Sequence, residues 1–141
     1  MVSIKALQDS LARHSIRLIE SAISGPSDAE AAVGNLVNRV DAIYTTTDNS
    51  VAAAYETLAR VANEAQIPLV ASDITLVEFG AVAAMGVDYY ALGLLTGDQV
   101  IRILKGEKPG SLPSLKSDRF ILSLNLDIAR KQKITFPRDI R

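Results

Sequence analysis

The 141 residues carry 15 Lys and Arg against 16 Asp and Glu, so no net field recruits nucleic acid or anionic lipid. There is no cysteine, which excludes disulfides, thiolate catalysis and cysteine-ligated zinc. Residues are 48% hydrophobic but only 5% aromatic, so the apolar mass is Ala, Val, Leu and Ile, which suits one helix-flanked, mainly parallel α/β sheet.

Residues 3–14 predict a helix with Ile4, Leu7 and Leu11 on one face. Residues 16–23 alternate as a strand, and Ser27 with Glu30 has the pattern of a capping box opening a helix through Ala29, Val33, Leu36 and Val40. A strand is expected over 41–46. Asp48 or Asn49 then caps a helix whose buried stripe is Val51, Tyr55, Leu58, Ala62 and Ala65. Pro68 starts a third strand, 68–72, and residues 74–79 predict one or two helical turns closed at Gly80. Ala81 to Val87 is a short apolar strand. Tyr90, Leu94, Gly97, Ile101 and Leu104 give a helix that stops at Lys105-Gly106. Residues 107–119 are loop, 120–124 a strand, and Asp127 is placed to cap a last short helix. The β-α alternation implies right-handed crossovers.

Each of three strands runs into a polar loop that opens a helix: 17–23 into Ser24, 41–44 into Thr45 through Ser50, and 67–71 into Ser72-Asp73. In an open parallel sheet such loops lie along one edge, where ligands bind. The candidate ligand contacts are therefore Ser24, Thr46, Thr47, Asp48, Asn49, Ser72 and Asp73. A carboxylate there can pair with a ligand ammonium, and the threonine hydroxyls can donate to a ligand carboxylate. Capping and loop-stabilising bonds are the competing roles for the same atoms. Tyr89 and Tyr90 suggest stacking on an aromatic ligand, but Tyr90 lies on the apolar helix stripe, which favours packing. His14, the only histidine, sits at a helix end with no triad partner in spacing, and scattered carboxylates build no closed metal site. There is no glycine-rich phosphate loop or nucleophile elbow, and no catalytic residue, metal or cofactor is expected.

Several stretches carry a resemblance: Val40 to Tyr44 with Thr47-Asp48-Asn49, Val61 to Ala65 with Ile67-Pro68 and Ser72-Asp73, and Gly86-Val87-Asp88-Tyr89-Tyr90-Ala91-Leu92-Gly93. Thr96-Gly97, Ile103 to Pro109, Asn125, Ala129, Ile134 and Pro137 continue it. The chain resembles, in order and over essentially its whole length, the C-terminal part of bacterial ABC-transporter substrate-binding lipoproteins. These are similar to type I periplasmic binding proteins, and some members are associated with aromatic amino acids. The resemblance implies one α/β lobe of a two-lobed protein that closes on its ligand. It also implies an ABC permease as partner and an extracytoplasmic site, in the periplasm or lipid-anchored at the cell surface.

The first lobe, the lipoprotein signal and the second lobe's opening strand are not in these 141 residues. Residues 1–87 are then the core of the lobe, and residues 88–141 are expected to be shaped for packing on a first lobe. Exposed contacts of that segment and an unpaired sheet edge lead to an expectation of homo-oligomers. The rival readings are an effector-sensing domain of a transcription regulator, with the same fold, and a small α/β enzyme using Asp48 or Asp73 as a general base.

Overall fold

The computed structural model describes residues 4–140. Its centre is a four-stranded sheet in the order β1 (Ile43–Thr45), β2 (Leu69–Ala71), β3 (Ala83–Val87), β4 (Phe120–Leu124). The first three strands are parallel, with Ile43 opposite Leu69 and Val70 opposite Ala83. β4 turns back antiparallel on β3, with Met85 opposite Leu122. The helices are α1 (Ile4–Ala12), α2 (Ala29–Gly34), α3 (Asn49–Ala53), α4 (Tyr55–Glu64), α5 (Tyr89–Leu104) and α6 (Leu126–Lys131).

Alternation along each strand puts Ile43, Thr45, Leu69, Ala71 and Ala84 on one face, where they are buried. α2, the turn after it and α4 supply Val33, Leu36, Tyr55, Leu58, Ala59 and Ala62 to the same core. Small residues on both sides let helix and sheet approach closely. The opposite face carries Tyr44, Met85 and Leu122, all exposed.

α5 is apolar yet uncovered. Of its residues only Ala91 is buried, whereas Tyr90 is 79% and Leu104 80% exposed. Of the two kinds of packing expected for Tyr90, on the core or on another lobe, the first does not occur within this chain. The helix ends where Gly106 takes a positive φ of 97° and Arg102 forks onto Glu107, with N–O distances of 2.8 and 2.6 Å. That pairing holds the Glu107 carboxyl below its usual range.

Four expectations are corrected. Residues 16–23 make no strand; they run beside the core with Ile19 and Ile23 partly buried, unpaired in the sheet. The Ser27–Glu30 capping box does not form, because Asp28 turns its carboxylate to the Ser24 N–H at 2.9 Å and Ser27 donates to Asp28. The helix expected after Asp48 is interrupted at Ala54, which splits it into α3 and α4. Asn125, not Asp127, caps α6: its Oδ1 accepts from Ile128 N–H at 3.0 Å, while Asp127 pairs with Arg130.

One buried polar atom has a pH consequence. The Tyr55 hydroxyl is enclosed without a hydrogen-bond partner of good geometry among the described residues. Burial pushes its pKa up to about 12, opposed in part by the neighbouring Thr45 hydroxyl. An acid with a raised folded-state pKa contributes stability that is complete below its unfolded value and lost as pH rises through the folded one. Stability should therefore decline from about pH 10 to about 12. Tyr55→Phe should match the parent at neutral pH and flatten that decline, as denaturant melts across the alkaline range would record. An identical alkaline decline in the variant would exclude Tyr55 as its source.

Candidate functional site

Because β1 and β2 are parallel and in register, the loops that follow them leave from the same sheet edge. They also meet: Thr47 Oγ1 and Ser72 Oγ lie 2.8 Å apart in a hydrogen bond. One hydroxyl donates to the other, so the pair retains one O–H for a third group.

Both aspartates flank this bond as helix caps. Asp48 Oδ1 accepts from Ser50 N–H at 2.7 Å and Val51 N–H at 3.2 Å, which opens α3. Asp73 Oδ1 accepts from the Thr75 N–H at 2.9 Å and the Thr75 hydroxyl at 2.8 Å, opening the short helical turn Ile74–Val77. In each case one carboxylate oxygen does the capping. The other has no hydrogen bond or ion pair among the described residues. Capping thus fixes each carboxylate without using it up.

Asn49 is the first residue of α3 and is exposed, as is Thr46. Ser24 is exposed too, but it follows the unpaired 16–23 segment, so no strand pairing brings it into the row.

A third position belongs to the same pattern and was missed from sequence. Asp88 follows β3 and caps α5, its Oδ1 accepting from Ala91 N–H at 2.9 Å. Three successive parallel strands are therefore each followed, within three residues, by an aspartate that caps the next helix or helical turn, at Asp48, Asp73 and Asp88. The signal was present in the Val87-Asp88-Tyr89 boundary, where an apolar run meets Asp and then helical spacing. Tyr89, 63% exposed, stands directly beyond that cap.

Gly86 supports the site from behind. A Cβ there would lie 3.2 Å from Ser72 O and 3.3 Å from the Ile74 Cγ2 and backbone nitrogen. A side chain there would push the Ser72–Ile74 loop away from β3 by a few tenths of an ångström, so glycine suits this close approach. Among the described residues no three His, Asp or Glu side chains converge to hold a metal ion, and no helix is long and apolar enough to cross a membrane.

The sequence matches the family model described as ABC transporter substrate binding protein over residues 1–141. It is 32% identical over 126 residues to a tyrosine-binding protein of Clostridioides difficile, covering 89% of this chain and 36% of that protein. A conserved domain protein from Vibrio cholerae superposes with a TM-score of 0.82 at 35% identity, over 97% of this chain and 46% of that one. The ligand-free, open structure of a Clostridium difficile substrate-binding protein with adhesive properties gives 0.78 at 30% identity, over 98% and 47% respectively. The chain thus spans less than half the length of each of these relatives, while its own length is matched almost throughout. On the whole-chain match, the shared fold and these identities, the chain belongs to the ABC transporter substrate-binding protein family.

Proposed function

We propose that this chain supplies one wall of a solute-capturing cleft in an ABC importer, and that the solute is an amino acid. The observation that carries the reading is the 2.8 Å Thr47–Ser72 bond, which joins two strand-end loops between two helix-capping carboxylates. The open oxygens of Asp48 and Asp73 suit an ammonium group, and the spare hydroxyl of the Thr47–Ser72 pair suits a carboxylate. Thr46 and Asn49, exposed at the same loop, complete the polar rim, and Ser24 belongs to it only if 16–23 adds to the sheet. Tyr89 offers an aromatic face beside the third cap. The tyrosine-binding relative favours an aromatic amino acid among the candidates.

In this reading the protein works outside the cytoplasm and hands its solute to a permease. The α5 helix and the chain beyond it, residues 88–141, are shaped to meet the first lobe of such a protein. Closure of two lobes excludes water and strengthens the polar contacts, since the same charges interact more strongly at lower local dielectric.

The experiment is a titration of the isotopically labelled chain with each of the twenty amino acids, followed by amide chemical shifts. One wall leaves most of a small ligand in water, so binding should be millimolar at best. Shifts are expected at Thr46–Asn49 and Ser72–Asp73, and Asp73→Asn should weaken them. Shifts confined to another surface, or submicromolar binding by the monomer, would overturn the reading.

A further inference from the structure

The outer edge of β4 is open in both backbone and side chains. Asp88 N–H donates to Arg119 O at 3.1 Å and Asn125 N–H to Val82 O at 2.9 Å, so residues 119, 121, 123 and 125 direct their peptide groups towards β3. Phe120, Leu122 and Leu124 therefore direct theirs outward, and none of these N–H or C=O groups has a hydrogen-bond partner among the described residues.

The side chains of the same residues stand beside Met85 on the uncovered sheet face; Phe120 is 60%, Leu122 44% and Met85 61% exposed. Residues 120–126 contain no charge, proline or glycine, so the devices that usually protect a sheet edge are missing.

We propose that this edge pairs with the same edge of a second copy of the chain, antiparallel about a two-fold axis at Leu122, joining two sheets into one. The strand's own register selects a second copy as occupant. About that axis Phe120 meets the partner's Leu124 and Leu122 meets the partner's Leu122, so outward peptide groups face outward peptide groups at every β4 position. Sliding by two residues leaves Leu124 facing residue 118, outside β4.

Charge agrees: Asp118 and Arg119 fall opposite the partner's Leu126 and the partner's Asn125, so no like charges meet. The uncovered faces then run on side by side, bringing Phe120 against the partner's Leu124 and Leu122 against the partner's Leu122. The arrangement is isologous and closes at two subunits through this edge. The solute contacts are separate from it, since β4 contributes none of them, but it gives the β4 edge to a second copy and leaves the contact with another lobe to α5.

Sedimentation equilibrium across a micromolar-to-millimolar series should show a monomer–dimer equilibrium. Amide exchange should show protection at Phe120, Leu122 and Leu124 that rises with concentration, while Ile121 and Ser123 stay protected throughout. Leu122→Pro removes an N–H that no intramolecular bond uses, and Leu122→Lys places two charges at the axis. Each should weaken dimerisation about tenfold or more. Leu94→Glu, on the exposed face of α5, should leave it intact.

A wild-type monomer at every concentration would overturn the proposal. So would a dimer that survives both Leu122 changes or is lost in Leu94→Glu alone, or an edge that pairs only with unrelated strand peptides. Should Leu122→Pro fail to fold, Leu122→Lys and the wild-type exchange pattern decide.

Discussion

Gly80→Ala is expected to cost about 3 kcal/mol of folding stability, the largest loss foreseen for any single methyl added to this chain. Gly80 has a φ of 112°, a conformation L side chains rarely adopt. An added Cβ would also lie 2.9 Å from Ala59 Cβ and 3.2 Å from Asn63 Nδ2. Ala59 is held by the α4 backbone and cannot swing aside. Asn63 is no freer, because its Nδ2 donates to Gly80 O at 3.2 Å and its Oδ1 accepts from Gln132 at 2.8 Å. Backbone strain and overpacking therefore act together. Gly93 is the contrast: it lies inside α5, and a Cβ there meets nothing within 4 Å. Gly93→Ala should stabilise by about 0.5–1 kcal/mol through helix propensity alone. Urea melts of the two variants should move in opposite directions; movement of both the same way would contradict this account.

Asn125→Ala should cost about 1–3 kcal/mol, because one side chain serves two elements. Its Oδ1 accepts from Ile128 N–H at the start of α6, and its Nδ2 donates to Val77 O at 3.1 Å. Val77 is buried, so its carbonyl has no ready access to water once the donor is gone. Removing the amide loses a cap and the shorter of the two bonds on that carbonyl, which keeps only the 3.3 Å bond from Gly80 N–H. Asn125→Asp keeps the capping acceptor and loses the donor, so thermal melts should place it between the parent and the alanine variant. Equal melting of the alanine variant and the parent would show that neither bond matters.

Much of the sheet was legible in the sequence because its strands are short apolar runs bounded by strong punctuation. Pro68 marks the approach to β2, Gly80 and Asp88 bracket β3, and β4 coincides with the expected 120–124. The strand-end loops were legible for the same reason: an Asp or Ser after an apolar run announces a cap. Their convergence follows from parallel pairing, and the Thr47–Ser72 bond is its local expression. Residues 16–23 show where such reasoning stops. Alternation says that a segment has two faces, but a strand also needs a neighbour with free peptide groups, and that is a long-range fact. α5 teaches the same lesson from the other side: period 3.6 identifies which residues share a face, not what covers it. At Ser27 a local competitor prevailed. The Asp28 carboxylate reached the Ser24 N–H and a short turn at Pro26–Asp28 took the place of the box.

The uncovered sheet face and the bare side of α5 also set the temperature dependence of this fold. Unfolding an average chain of this length raises the heat capacity by about 1.7–2.1 kcal/mol/K, largely from apolar groups newly exposed to water. Here Tyr44, Met85, Tyr90, Leu94, Leu104, Phe120 and Leu122 already meet water in the folded monomer. Unfolding hydrates less new apolar surface, so the monomer's increment falls below that range and its stability curve is flatter. A partner covering those residues would steepen the curve as well as raise it, making the curvature itself a measure of how much of the face is covered.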